Sequence, residues 1–165
     1  MSDTPSINEL VTRDQFQSFM KVGGSSGSYA LIGDGFTNFK ESKNPKEYTR
    51  KYVNMKTEIT DVIGYAPSID YTLDTYTDND VVNDIIAITD EEKIGTDAVR
   101  EIVHVNCWDT DANGKCKAMQ RSYAVIPSEK ADGTDALIYS GSMKAVSDVV
   151  LGKFDLENLT FTANS

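Results

Sequence analysis

The sequence has few of the residues that most metal sites and many catalytic sites require. Its 165 residues include two cysteines and one histidine. These are too few for a metal site built from several cysteine or histidine ligands. A Ser–His or Cys–His pair would need His104 as its base, and a lone histidine inside a strand is more often structural. We therefore predict that the protein is not an enzyme. No catalytic, cofactor-binding or metal-binding residue is assigned.

Long apolar runs are also absent. No segment approaches the roughly 20 consecutive apolar residues that cross a bilayer. The N-terminal segment, MSDTPSINELVTRDQ, is polar and acidic and lacks the apolar core of a secretory signal. We expect no contact with a membrane. We also expect the protein to stay in a cytosol or to be built into a particle there.

Basic residues are outnumbered by acidic ones. The chain has 16 Lys and Arg against 26 Asp and Glu, which gives a formal net charge of −10. Such a chain repels the phosphates of a nucleic acid. We therefore expect no specific DNA binding, although DNA could pass close to the protein without adhering to it.

What the sequence does contain is a series of short segments typical of β-strands. Apolar residues alternate with polar ones, and turn-forming residues separate the segments. We predict strands at residues 29–39 (with a bend), 48–55, 57–65, 69–76, 99–108, 116–126, 137–148, 149–156 and 159–163. Residues 127–134 are predicted to form a loop.

The clearest strand pattern lies at residues 69–76. Apolar and polar residues alternate there with a period of two, which is typical of a strand with one buried face and one wet face. Ile69, Tyr71 and Leu73 form the apolar face. The wet face is acidic and consists of Asp70, Thr72 and Asp74. It is an ordinary solvated face or the lining of a channel.

One segment has the spacing of a helix. Residues 78–80, Asp-Asn-Asp, are good helix N-caps, and apolar residues follow at helical spacing. These residues are Val81, Val82, Ile85 and Ile86. We predict a short helix over about residues 79–88, followed by a solvated acidic end at residues 90–92.

Together the segments predict a mainly β fold, either a β-sandwich or a small β-barrel of about eight strands, with one short flanking helix. The length suits a single domain over residues 1–165. Residues 1–22 are predicted to form an extended N-terminal arm, and residues 23–28 a flexible Gly/Ser loop. The 99–108 strand is partly apolar on both faces, which indicates a second covering layer or a subunit contact.

The stretch DTDANG, at residues 109–114, imitates the first half of a calcium loop. Asp109, Asp111, Asn113 and Gly114 match the first four requirements, but position 12 is Gln120 and not a bidentate glutamate. Both flanks are also predicted to be strands. Asn-Gly between two strands is a strong hairpin signal, because both residues tolerate positive φ. We expect a hairpin turn here and no calcium site.

The two cysteines bracket this turn. If Asn113-Gly114 is a two-residue turn, Asp111 lies opposite Cys116 and Cys107 lies opposite Gln120. The two sulfurs are then not opposite each other, whereas a longer loop would bring them together. We expect reduced thiols, because a disulfide is uncommon without secretion. Trp108, at the end of the strand, is predicted to anchor the hairpin or an interface.

Four strings of residues, taken in order, resemble the tail tube proteins of long-tailed phages of Gram-positive bacteria. The resemblance covers roughly residues 16–163. The strings are NPKEYTRKYVNMKTEITDVIGYAPSIDYTLDTYTDNDVVNDI (44–85), GTDAVREIVHV (95–105), RSYAVIP (121–127) and DALIYSGSMKAV (135–146).

The resemblance implies a structural virion protein that assembles itself. Subunits of that family form hexameric rings, which stack into a hollow tube that conducts DNA during ejection. The family has no catalytic residues to carry over. Residues 1–22 and 36–53 are implied candidates for contacts between rings. Implied partners are the tape measure, tail completion and distal tail proteins, and the implied location is the phage tail, assembled in the host bacterial cytoplasm.

A second function class remains open. A β-sandwich binding module that recognises a carbohydrate or a protein would have the same composition and strand pattern. Such a module could use the DTDANG loop as a Ca²⁺-assisted contact. Self-assembly favours the first class, and micromolar calcium binding favours the second.

Overall fold

The computed structural model describes residues 10–23, 27–132 and 134–164. Within these residues lie eleven β-strands, one α-helix and two short 3-10 helices, Arg13–Gln15 and Gly95–Ala98. The strands are β1 (Phe16–Val22), β2 (Ser28–Ile32), β3 (Phe36–Ser42), β4 (Pro45–Arg50), β5 (Ile59–Tyr65), β6 (Ser68–Asp74), β7 (Val99–Thr110), β8 (Cys116–Asp132), β9 (Ile138–Ala145), β10 (Val150–Asp155) and β11 (Thr160–Ala163). The helix, α1, spans Asp80–Asp90. The predicted mainly β class with one short helix is confirmed, with more strands than the predicted eight or so.

Nine of the strands form one antiparallel sheet that curls into a half-barrel. Its main path runs in the order β2-β1-β7-β8-β9-β6-β3. The longest strand, β8, has 17 residues, and one of its edges is shared between two partners. That edge pairs with β10 at residues 116–120 and with β9 at residues 123–132. The other two strands, β4 and β5, pair separately with each other.

Strand β7 is buried on both of its faces. Ile102 belongs to the larger apolar cluster, which includes the buried side of α1. Val103 and Val105 point the other way, into a second cluster around Phe154. Of the two explanations that the sequence left open for this strand, the second covering layer is the one found.

Helix α1 begins where the sequence predicts. The Asn79 side chain accepts a hydrogen bond from the Val82 N–H at 3.1 Å, which satisfies one of the free donors of the first turn. The residues that face the sheet are Val81, Val82, Ile85 and Ile88. In the described ranges, no helix is long and apolar enough to span a bilayer.

The alternating strand at residues 69–76 is also confirmed, as β6. Ile69, Tyr71 and Leu73 are each at most 1% exposed and belong to the larger cluster. They pack with the buried residues of α1 on one side of the sheet. The polar residues of β6 therefore face outward.

Two predicted boundaries are wrong. The strand predicted at residues 48–55 ends at Arg50, because a turn follows in which the Met55 N–H donates to the Tyr52 carbonyl oxygen at 3.0 Å. The loop predicted at 127–134 is mostly strand, since β8 continues to Asp132. Proline has no N–H for the ladder, and the strand accommodates Pro127 by a shift of register next to it.

The predicted arm and Gly/Ser loop fall partly outside the described residues, which exclude 1–9 and 24–26. The last part of the predicted arm, Phe16–Val22, is β1, an interior strand between β2 and β7. Phe19 and Met20 are buried on opposite faces of the sheet. An arm can therefore include only residues before Phe16.

A buried ion pair fastens α1 to the sheet. Arg100 Nε donates to Asp84 Oδ2 at 2.7 Å, and Arg100 Nη2 donates to Asp84 Oδ1 at 3.1 Å. Arg100 Nη1 donates to the carbonyl oxygens of Asp97 and Val99. The two charged side chains are only 5% and 9% exposed. Removing either partner would leave a buried charge uncompensated.

We predict that Arg100→Ala lowers the free energy of unfolding by about 3–5 kcal/mol, because Asp84 would lose its counter-charge inside the protein. Urea unfolding followed by circular dichroism measures the change. Lys93→Ala is the matched control, since Lys93 forms an exposed pair with Glu91 at 4.0 Å. The control should lose less than about 1 kcal/mol. Equal losses in the two variants would contradict a structural role specific to Arg100.

Candidate functional site

A two-stranded ribbon, residues 45–65, is largely exposed and is formed by β4, the turn after it and β5. Strand β3 leads into β4, and β5 leads into β6, while β3 and β6 pair with each other. The ribbon is therefore the outer half of one long hairpin whose inner half belongs to the main sheet. In the described residues, β4 and β5 form ladder pairs only with each other.

Asn44 forms the joint between the two halves of this hairpin. Its φ is 47°, in the left-handed region that asparagine tolerates better than most residues. Its side-chain amide donates to the Ala66 carbonyl oxygen at 3.0 Å and to Ser68 Oγ at 3.1 Å. These bonds tie the start of the ribbon to its end and so fix how the ribbon leaves the sheet.

Both faces of the ribbon carry large apolar side chains in solvent. Val53, in the turn, is fully exposed, and the others are each more than half exposed. The exposed residues are Tyr48, Tyr52, Val53, Val62, Ile63 and Tyr65. Two strands alone are at best marginally stable in water, and clustered exposed apolar groups usually mark an interaction surface. The ribbon is therefore suited to burial against another molecule.

Arg50 gives one face of the ribbon a fixed shape. Its guanidinium carbon lies 4.9 Å from the centre of the Tyr48 ring and 5.6 Å from that of Tyr52. Its Nη1 is 2.6 Å from Asp61 Oδ2, and its Nε donates to the Tyr52 hydroxyl at 3.0 Å. These contacts hold three long side chains in one arrangement, which lowers the entropy lost when a partner covers them.

The predicted acidic face lies on the outer side of β6. Asp70 is exposed there, opposite Lys40 of β3 on one side and Ser142 of β9 on the other. Thr72 and Asp74 are partly buried. This outer surface is polar, but it is less uniformly acidic than β6 alone predicts, because the neighbouring strand adds a lysine. Whether it lines a channel remains a prediction.

The DTDANG segment closes the β7–β8 hairpin, as predicted. The Asp111 N–H donates to the Lys115 carbonyl oxygen at 2.9 Å, and the Gly114 N–H donates to the Asp111 carbonyl oxygen at 3.0 Å. Gly114 has a φ of 79°. These are the features of a three-residue loop that ends in a left-handed glycine. The predicted hairpin is confirmed, and of the two turn lengths that the sequence left open the longer loop is the one found.

The Asp111 carboxylate is used inside this loop. Its Oδ1 accepts from the N–H of Asn113 at 2.9 Å and from the N–H of Lys115 at 3.0 Å. The hydrogen bond from Lys115, with that from Asn113, lowers the pKa of Asp111. Within the described residues, no group of three or more Asp, Glu, His or Cys side chains could hold a metal ion. The geometry is that of a turn-stabilising aspartate.

We predict that Asp111→Ala speeds hydrogen exchange at the amides of Asn113 and Lys115, because both lose their acceptor. Asp111→Asn keeps an oxygen at that place and should protect them nearly as well. Exchange measured by NMR tests both variants. Calcium titration of the wild type by calorimetry should show no micromolar binding. Micromolar binding that disappears in Asp109→Ala would contradict the turn assignment and support a calcium-assisted binding module.

The longer loop also decides the positions of the two cysteines. A register shift between Asn106 and Thr110 places Thr110, and not Asp111, opposite Cys116. Cys107 packs against the cluster that contains Cys116, so the two thiols are neighbours, as the sequence analysis expects for a longer loop. Both thiols are free. Burial raises the pKa of each.

His104 lies in a buried polar cluster, which agrees with its predicted structural role. Its Nδ1 is 2.8 Å from Ser18 Oγ, and its Nε2 is 3.7 Å from Glu41 Oε2. The Tyr123 hydroxyl donates to the same Glu41 oxygen. The ring stacks on Phe16 with centroids 5.5 Å apart. The cluster thus ties β3, at one end of the sheet path, to β1, β7 and β8 near the other end.

Ser18, His104 and Glu41 follow the order of a nucleophile, a base and a carboxylate. Their surroundings do not suit acyl transfer. Ser18 is only 3% exposed, so a carbonyl substrate cannot reach its hydroxyl. The 3.7 Å separation between imidazole and carboxylate is also too long for the hydrogen bond that orients a catalytic histidine. The cluster is better suited to holding strands together.

Glu41 stays ionised in this cluster. Burial alone would raise its pKa, but the nearby His104 imidazole and the hydrogen bond from Tyr123 outweigh burial and lower the pKa to about 2. Burial, together with the hydrogen bond to Glu41, raises the pKa of Tyr123. Tyr123 therefore remains the donor and Glu41 the acceptor over the whole physiological range. No sequence spacing connects residues 18, 41, 104 and 123, so the cluster had no signal in the sequence.

We predict that Glu41 makes stability depend on pH between about 4.5 and 2. Its pKa is lower in the folded chain, so its stabilisation is complete above 4.5 and is lost as the pH falls towards 2. The loss should be on the order of 2–3 kcal/mol. Unfolding titrations from pH 7 to pH 2 measure this loss of stability in the wild type. The Glu41→Gln variant should show no such loss between pH 4.5 and 2. Glu47→Gln, on the exposed ribbon, is the control and should still show the loss.

The comparisons with known proteins give a likeness of fold. No protein-family model matches the sequence, and no curated protein matches it. Among solved structures, the anti-feeding prophage cap, which terminates the AFP tube, matches with a TM-score of 0.53 and 12% identity. That match covers 92% of this chain and 96% of the other. The baseplate of the same particle matches with a TM-score of 0.47 and 8% identity, over 91% and 97% of the two chains.

The likeness concerns the fold. At 12% identity, the match to the tube cap shows that nearly all of this chain and nearly all of that one share an arrangement of strands. The match extends over both chains almost end to end, so the shared unit is the whole β-rich body and not an isolated hairpin.

Proposed function

We propose that this protein is a structural subunit of a phage tail or a tail-like particle, and that it assembles with copies of itself. The observation that carries the proposal is the fold shared, over nearly the whole of both chains, with a cap that terminates a particle tube. The ordered strings that resemble tail tube proteins support the same class.

The ribbon is the part of the fold that supports self-assembly most directly. In a monomer in water, the tyrosines and aliphatic side chains of the ribbon would stay exposed, because no further strand or layer of the described chain covers its two strands. In an assembly these side chains would be buried, and the fixed Arg50 cluster would provide a preformed contact surface. The ribbon also overlaps residues 36–53, which the resemblance implies as a contact between rings.

The specific architecture that we propose is the one implied by the resemblance. Six copies form a ring, and rings stack into a hollow tube that conducts DNA during ejection. A net charge of −10 suits this role, because an acidic wall repels phosphates and lets DNA slide. The outer surface of β3, β6 and β9, with Asp70 and its serine neighbours, is our candidate for the wall of the lumen.

The proposed partners and location follow from the same role. The tape measure, tail completion and distal tail proteins would meet the ends of the tube. The protein would be assembled in the host bacterial cytoplasm and would end in the tail of the virion. Residues before Phe16 are a candidate arm that reaches the next ring. The proposed role is structural and includes no catalysis.

We predict that purified wild-type protein forms rings or hollow tubes when concentrated, and that Val53→Asp/Val62→Asp stays monomeric. Both valines are exposed, so the variant should keep its fold while it loses the apolar contact. Light scattering after size exclusion and negative-stain electron microscopy measure the assembly. Circular dichroism checks the fold.

The matched control is Leu137→Asp, a similar change at a half-exposed leucine outside the ribbon, which should still assemble. A strictly monomeric wild type at every salt and protein concentration would overturn the proposed function. Assembly of the ribbon variant as efficiently as the wild type would show that the contact lies elsewhere on the surface.

A further inference from the structure

The distribution of charge along the chain is uneven, and the ribbon is a net basic part of an acidic protein. The ribbon, residues 45–65, contains four basic and three acidic residues, a net charge of +1. The chain as a whole carries −10, so the remaining residues carry −11. Arg50 and Asp61 of the ribbon pair with each other, which leaves Lys46, Lys51 and Lys56 against Glu47 and Glu58.

We propose that the ribbon of one copy docks by ionic pairing on the acidic surface that surrounds α1 in a second copy. This inference rests on the proposed function and names the partner surface. Residues 78–97, which include α1, contain seven acidic residues and one basic residue, a net charge of −6. The two segments are therefore complementary, and both belong to every copy of the chain.

The lysines of the ribbon are free to make such contacts. Lys46, Lys51 and Lys56 are exposed, and none forms an ion pair with a carboxylate of the described residues. Arg50 differs, because Asp61 and the two tyrosines already hold it. The arginine therefore shapes the ribbon, while the lysines supply the charge that a partner would neutralise.

The acidic surface around α1, like the ribbon, has some charged groups that are already paired within the chain and others that are not. Three of its carboxylates are already paired, Asp84 with Arg100, Asp90 with Lys130 and, more loosely at 4.0 Å, Glu91 with Lys93. The exposed carboxylates lie at the two ends of the helix, with Asp78 and Asp80 at the start and Glu91 and Glu92 at the end. No basic residue lies in the last turn of α1, where one would offset the negative end of the helix dipole.

Docking of this kind would set the direction of assembly. The basic ribbon repels another basic ribbon and attracts an acidic helix surface, so copies would join head to tail and not face to face. A head-to-tail contact gives a ring when the rotation between copies closes on itself and an open filament when it does not. The apolar ribbon residues would supply buried area, and the charges would supply specificity and register.

The test is a charge swap within one chain. Lys46→Glu/Lys51→Glu/Lys56→Glu reverses the ribbon, and two further variants reverse one end of α1 each, Asp78→Lys/Asp80→Lys and Glu91→Lys/Glu92→Lys. Reversing the ribbon alone should raise the protein concentration needed for assembly about tenfold or more, because exposed pairs contribute up to about 1 kcal/mol each. Combining the ribbon reversal with the reversal of the correct helix end should restore assembly.

The control is Lys115→Glu/Lys117→Glu/Lys144→Glu, which changes the net charge by the same amount outside the ribbon and should assemble like the wild type. The threshold concentration for the wild type should also rise between 50 mM and 500 mM NaCl, because salt screens exposed pairs. If the wild type assembles but neither combined variant recovers, or if the control fails equally, the ionic docking is wrong and self-assembly stands. A monomeric wild type overturns both proposals.

Discussion

The rest of the fold depends on the pairing of β7 with β8. Strand β7 is buried on both faces and separates the two apolar clusters, so neither cluster is complete without it. Strand β8 is long enough to hold β9 and β10 along a single edge, which is how one sheet supports both layers. The three-residue loop at Ala112–Gly114 and the shift of register before it decide which residues of β7 meet which residues of β8. A change in that register would exchange the faces of both clusters at once.

The charges follow a division between the inside and the outside of this body. Inside, Arg100 with Asp84 and Glu41 with Tyr123 hold separate elements together, and each has its partners within the chain. Outside, the ribbon lysines and the carboxylates around α1 have few or no ionic partners within the described residues. The large apolar side chains of the ribbon face water. The inner pairs stabilise the fold of a single copy. The outer groups remain unexplained by the monomer, and contact between copies would account for them.

Much of this structure was predictable from residues close together in the sequence. The alternation at 69–76, the cap at Asn79 and the Asn-Gly hairpin are local signals, and each gave the correct element. The failures have a common cause, since they depend on contacts that sequence spacing does not encode. The continuation of β8 past Pro127 depends on pairing with β9, and the cluster around His104 joins four strands. The exposed ribbon gave only an ordinary strand pattern, because exposure follows from the absence of a covering layer.

The joint at Asn44 has a mechanical consequence. Strand β4 has six residues, so the ribbon reaches about 20 Å from the joint, and a tilt of about 10° there would move its tip by about 3.5 Å. That displacement is larger than the length of a hydrogen bond. With a loose joint, the tip could not bind at one defined position on another molecule. The hydrogen bonds that the Asn44 side-chain amide donates to Ala66 and Ser68 hold this joint in one conformation. The stiffness of one asparagine would therefore govern the pitch and straightness of any filament built through the ribbon.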